Sequence, residues 1–179
     1  LVPHHMAVAD RRNPWWWDVL ENGPASPFAS WFDIDWEASP DRWPGKILLP
    51  FLGNHWGRLL EEGAFRVAFD GGRFTLQGPG HLFPVDPSTV GELLGKAAEA
   101  CSSPLLSFLA ESHARLPRPR TADGPDGKTR SRDKGILARL LDDLCRDNPD
   151  IRKALDGEIA RINADPDALA SLMDRQHYR

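Results

Sequence analysis

Residues 13–36 read NPWWWDVLENGPASPFASWFDIDW, and the reading of this stretch decides how the rest of the chain is organised. It holds five of the seven tryptophans and two of the eight phenylalanines. Asn13 suits a helix cap, and Pro14 suits the first helical turn, where its missing N–H has no partner to lose. The pattern predicts a short helix over Trp15–Glu21, stopped by Gly23, with Pro24 and Pro27 barring its continuation. Successive helical side chains fan by about 100°, so Trp15, Trp16 and Trp17 must meet different surroundings. Two readings stay open: an aromatic anchor inside a small layer, or a platform on which the C–H face of a pyranose stacks. For the second, Asp18, Asn22, Asp33 and Asp35 are short acceptors able to reach sugar hydroxyls from beside an aromatic floor.

Outward from this stretch, Lys46–Leu52 is a short apolar run broken by Pro50 and reads as a strand. Arg58–Glu62 reads as a brief helix ended by Gly63. Phe65–Phe69 and Phe74–Gln77 alternate apolar and polar residues around Asp70-Gly71-Gly72, which predicts a β-hairpin, with His81–Val85 as a third strand. The second half is helical. Ser88 is the expected cap of a helix reaching about Ala100, and Pro104 opens another whose apolar face is Leu105, Leu106, Phe108 and Leu109. Pro117–Lys134 has no large apolar residue and is expected to be a mobile loop. Gly135–Asn148, Pro149–Ala164 and Pro166–Tyr178 follow as three helices. The fold class expected is α+β, mostly helical, with a hairpin or three-stranded sheet.

At 179 residues the chain is long enough for one real core, although sixteen prolines and fifteen glycines imply many turns. A net charge of −4 argues against a general nucleic-acid binder. The basic stretch Arg115–Lys134 is diluted by Asp123, Asp126 and Asp133 and carries no aromatic, so it reads as a solvated linker. Cys101 and Cys145 stand in no metal or redox spacing and read as reduced, buried thiols of a cytoplasmic protein. No stretch approaches the roughly 20 apolar residues of a membrane span. The six histidines make no zinc-binding pattern, and neither a phosphate-cradling glycine loop nor a serine nucleophile elbow is present, so no metal or cofactor is expected.

Six segments together resemble the maltooligosyl trehalose synthases, a family within the α-amylase superfamily: VPHHMAV (2–8), WWWDVLENG (15–23), FDIDW (32–36), KILLPFLG (46–53), HLFPVDP (81–87) and RQHYR (175–179). The resemblance implies that residues 1–6 end the third strand of a (β/α)8 barrel, where active sites gather. It makes His5 the histidine that bonds the sugar at the cleavage site, with His4 where the family usually has asparagine. Residues 7–87 would be an aromatic-rich α+β insertion, and 88–179 a helical part containing the loop 117–134. The implied reaction is an intramolecular transglucosylation that converts the reducing-end α-1,4 linkage of a maltooligosaccharide to α,α-1,1.

Such chemistry needs two carboxyl groups about 5–5.5 Å apart. In the family the nucleophile lies in an Arg-x-Asp segment on the fourth strand, and the acid is a glutamate on the fifth. Here only Arg130-Ser131-Arg132-Asp133 comes near, outside any expected strand, so no catalytic residue is expected in this chain. The chain is expected to be an internal fragment that contributes active-site cover and a substrate wall through His5, Trp15, Trp16, Trp17, Asp18, Asn22 and Asp35. Its partners would be the maltooligosaccharide and the rest of the barrel enzyme. Two rivals are another superfamily enzyme, such as a trehalose-releasing hydrolase, and a stand-alone carbohydrate-binding or interaction module without activity.

Overall fold

Asn13 starts the first helix as its side chain predicts: Oδ1 accepts from the N–H groups of Trp15 and Trp16 at 3.1 and 3.0 Å. Helix α1 runs Pro14–Asn22, and Gly23 closes it at φ 58°. The computed structural model describes residues 12–36, 45–49, 54–118 and 125–179. The expectations for His4, His5 and the barrel-strand end at 1–6 lie outside the described residues, as do Pro50–Gly53.

After α1, 3-10 turns at Gly23–Ala25 and Ala29–Trp31 lead into an extended segment, and helix α2 spans Trp56–Glu61. Strands β1 (Arg66–Asp70), β2 (Arg73–Gly78) and β3 (His81–Pro84) form an antiparallel meander. Its register pairs Val67 with Leu76, Phe69 with Phe74 and Leu76 with Phe83. The period-2 alternation puts Val67, Phe69, Phe74, Leu76 and Phe83 on one buried face. Gly71 and Gly72 both have positive φ, the geometry that two-residue hairpins favour. A Cβ on Gly72 would lie 1.8 Å from the Ala138 carbonyl oxygen, so only glycine lets the hairpin tip press against the helix behind it.

Five helices follow: α3 (Gly91–Cys101), α4 (Pro104–Ala114), α5 (Pro125–Asp147), α6 (Pro149–Ala164) and α7 (Pro166–Met173). The architecture of the described residues is α+β, seven α-helices with a three-stranded antiparallel sheet. Leu93, Leu94 and Ala97 of α3 meet Leu106 and Leu109 of α4 and Leu155 and Ile159 of α6 in one core shared with the sheet. On β1, the Val67 N–H donates to Asn163 Oδ1 of α6 at 2.7 Å, and the Val67 carbonyl accepts from Asn163 Nδ2 at 2.9 Å. Among the described residues no helix is long and apolar enough to cross a membrane.

Five local expectations need correction. Residues 125–134, expected to be loop, are the first turns of α5. The buried stripe of α5 continues through Gly127 and Arg130, with the nearly buried Lys134 after it, before reaching Leu137, Leu141 and Cys145. The helical period is therefore intact, but two of its inward positions carry charge and find acidic partners instead of a greasy core. Second, α3 starts at Gly91; Asp86, not Ser88, is the cap, and it serves a 3-10 turn over Pro87–Thr89. Third, Leu105 and Phe108 on α4 are 54% and 62% exposed, so the inward face is Leu106 and Leu109. Fourth, α7 ends at Met173 rather than Tyr178. There the chain turns so that Tyr178 buries its ring and donates to the Pro84 carbonyl at 2.7 Å. Fifth, in the described part of the strand expected over Lys46–Leu52 there is a single parallel bridge, Ile47 with Tyr178.

Candidate functional site

Helix α1 directs its three consecutive indoles to three environments. Trp16 is 7% exposed and packs on Phe32 at 4.9 Å between ring centroids. Its indole N–H is buried and has no hydrogen-bond partner among the described residues. Trp17 is half-buried. Trp15 is 43% exposed, and Trp31, carried by the second 3-10 turn, is 55% exposed. Their ring centroids lie 5.5 Å apart with the planes inclined by 52°. Phe28 meets Trp31 edge-on at 5.0 Å. Beyond Trp31 the exposure alternates: Phe32, Ile34 and Trp36 are half-buried and pack on the core, while Asp33 and Asp35 are exposed. Trp15, Trp31, Asp33 and Asp35 thus put two indoles and two carboxylates on the outside of one connected segment.

The other sequence-predicted acceptors are differently employed. Asn22 is 4% exposed; its Oδ1 accepts from Arg130 Nε at 3.1 Å, and its amide donates to the Asp18 carbonyl at 3.0 Å. Asp18 accepts from Ser26 Oγ at 2.7 Å and from Lys134 Nζ at 3.1 Å. Glu21 takes Lys134 at 2.6 Å and Arg73 at 3.4 Å. Asn22 and Trp16 are buried, and Asp18 takes part in a seam between α1 and α5.

That seam continues inward to Asp86, which is 1% exposed. Asp86 Oδ1 accepts from Arg130 Nη2 at 2.6 Å and from the backbone and hydroxyl of Ser88 at 2.9 and 2.8 Å. Its backbone N–H donates to Gln176 Oε1 at 2.8 Å, and its Oδ2 lies 3.2 Å from His177 Nε2, at an angle outside good hydrogen-bond geometry. Burial alone would raise the Asp86 pKa; contact with His177 and the charge of Arg130 outweigh it and hold the carboxyl below its ordinary 3.8. Arg130 also donates to the Pro117 carbonyl at 2.9 Å, so one guanidinium ties three segments. A Cβ on Gly23 would stand 2.4 Å from His177 Nδ1, which fixes glycine there twice over, by φ and by contact.

The segments 15–23, 81–87 and 175–179 therefore converge on one buried ionic centre. Sequence reasoning missed Trp31 as the partner of Trp15, with Phe28 behind it, and missed the buried role of Arg130. The available signal for Arg130 was its place, three residues after Gly127 and seven before Leu137, on the inward stripe of a helix.

No family model matches the chain, and no solved structure matches it. Two curated proteins from two strains of Mycobacterium tuberculosis, each described as "Putative maltooligosyl trehalose synthase", are 47% identical to it over 55 residues. The matched stretch is 30% of this chain and only 7% of each relative. Similarity to a trehalose-forming enzyme is thus present over a local segment.

Proposed function

We propose that this chain is a non-catalytic part of a cytoplasmic maltooligosyl trehalose synthase of the α-amylase superfamily, an isomerase that turns the terminal α-1,4 linkage of a maltooligosaccharide into α,α-1,1. The observation that carries the reading is the 47% identity to proteins described by that name. The reaction requires that the released glucose be recaptured before water attacks the glycosyl intermediate, and an aromatic wall over the site is a physical means of excluding water. The exposed pair Trp15 and Trp31, with Asp33 and Asp35 beside it, has the chemistry of such a wall. In this reading His5 contacts the sugar at the cleavage site, and the catalytic carboxylates are supplied by the rest of a barrel enzyme.

The test is made on the full-length parent protein with maltopentaose. The expected outcome is loss of reducing ends with little free glucose, and no turnover by the 179-residue chain alone. Turnover by this chain alone would sink the division of labour. A stand-alone binding module is the second reading, supported by the indole pair itself, since stacking needs no catalytic group; a parent protein that binds maltopentaose without converting it would establish that reading.

A further inference from the structure

The relation between the two exposed indoles limits the shape of chain they can hold. Trp15 and Trp31 stand 5.5 Å apart between centroids, inclined by 52°, and are 43% and 55% exposed. Both residues sit on held backbone. The Asn13 cap takes the Trp15 N–H at 3.1 Å, and the Trp31 ring is braced edge-on by Phe28 at 5.0 Å while the next residue, Phe32, packs on buried Trp16. The pair is therefore preorganised, so binding to it orders little.

Linkage stereochemistry decides what such a pair accepts. An α-1,4 bond leaves one glucosyl ring axially, so the chain curls and successive pyranose faces turn relative to each other. A β-1,4 bond is equatorial at both ends, so the chain is a flat ribbon whose faces lie nearly parallel. Two inclined indoles can each meet a face of a curled chain, whereas a flat ribbon lying on one plane leaves the other unused. Asp33, exposed beside Trp31, adds an acceptor for hydroxyls at the ring edge.

We infer that Trp15 and Trp31 form an inclined two-faced cradle that holds two successive glucosyl units of a curled α-1,4-linked chain and discriminates against a flat β-1,4-linked one, with Trp31 as the specificity-determining residue. The inference rests on the carbohydrate reading above but not on its reaction.

Indole N–H resonances of the chain would be followed by NMR during titration with maltohexaose and with cellohexaose, and affinities measured by calorimetry. Maltohexaose is expected to shift the Trp15 and Trp31 signals together, and to bind about tenfold or more tightly than cellohexaose, the worth of one stacking contact. Trp31→Ala should weaken maltohexaose binding about tenfold and erase the discrimination, since its loss removes one of the two faces. Phe108→Ala, on the exposed side of α4, should change nothing. Because Trp31 is more than half exposed, its variant should stay folded; a far-UV circular dichroism spectrum and Trp31→Phe, which keeps a flat ring, guard against an unfolding artefact. Equal affinity for the two oligosaccharides, binding to neither, or maltohexaose affinity unchanged in Trp15→Ala and Trp31→Ala overturns the cradle. Discrimination that depends on Trp31 in a parent enzyme without synthase activity would discard the synthase reading and keep this one. A working synthase that ignores both substitutions does the reverse.

Discussion

The two ends of α1 solve opposite problems. At its start, Trp15 leaves a large apolar ring in water beside Trp31, which contributes little to folding. At its finish, Glu21 and Asn22 go inward and meet Arg130 and Lys134, charges that burial alone would penalise. Greasy groups outside and charged groups inside invert the ordinary arrangement, within nine residues of one helix. The inside case is answered within the protein, because Lys134 meets Glu21 at 2.6 Å and Arg130 meets Asn22 at 3.1 Å. Among the described residues the outside case is answered only by the contact of Trp15 with Trp31, which is why the exposed end is the place to look for a ligand.

The largest effect should come from breaking the inner end. Arg130→Met leaves Asp86 buried beside an uncompensated gap and should cost about 3–5 kcal/mol, read as a lower urea midpoint at constant slope. Adding Asp86→Asn to that variant should recover part of the loss, since the stranded charge is removed. No recovery would mean that Arg130 matters for its packing rather than for the pair. Acid reports on the same centre. The Asp86 carboxyl titrates below its ordinary 3.8 in the fold, so its contribution is fully present above that pH and is lost as pH falls from there toward the folded value. Wild type should show this acid limb and Asp86→Asn should not.

Neighbouring tryptophans give the next test. Trp16→Ala removes a buried indole and should cost about 3–5 kcal/mol, whereas Trp31→Ala should stay within about 0.5 kcal/mol of wild type, both by thermal melting. If Trp31→Ala melts like Trp16→Ala, the outer end is core and the contrast fails.

The smallest effect belongs to His113, on the buried side of α4. Burial lowers its pKa below the ordinary 6.5, only partly opposed by its bond to the Leu109 carbonyl at 2.8 Å. The folded state thus keeps the ring neutral while the unfolded chain takes a proton. Stability should be full above pH 6.5 and decline as pH falls from there toward the lower folded pKa. His113→Gln should flatten that segment of the stability profile, and an unchanged slope would show that other groups set it.

What the sequence made legible follows the reach of each signal. Asn13, Pro14 and Gly23 act within one turn of chain, and Gly71-Gly72 within one hairpin, so α1 and the β1–β2 pairing could be read locally. The opening of α5 could not: Arg130 and Lys134 are inward only because Asp86, Asp18 and Glu21 come from distant positions to receive them. Tyr178 abandons the helix because Pro84 offers a carbonyl to its hydroxyl and Ile47 offers a backbone partner. On the candidate site, the fanning of Trp15, Trp16 and Trp17 was legible from helical geometry. The pairing of Trp15 with Trp31 was not, because it depends on how two 3-10 turns fold the segment back.

The tie between Gly23 and His177 also sets a clock. The two positions are 154 residues apart (177 − 23), and a ribosome adding about 5–20 residues per second needs on the order of 8–30 s to pass from one to the other. Through that interval a nascent chain already displays the tryptophans of α1, while the residues that lock the helix C-terminus have yet to be made. Asp86 likewise waits for Arg130, Gln176 and His177. Aromatic side chains shown early and locked late are what holdase chaperones bind, so the yield of native protein should respond more to chaperone supply during synthesis than its final stability would suggest.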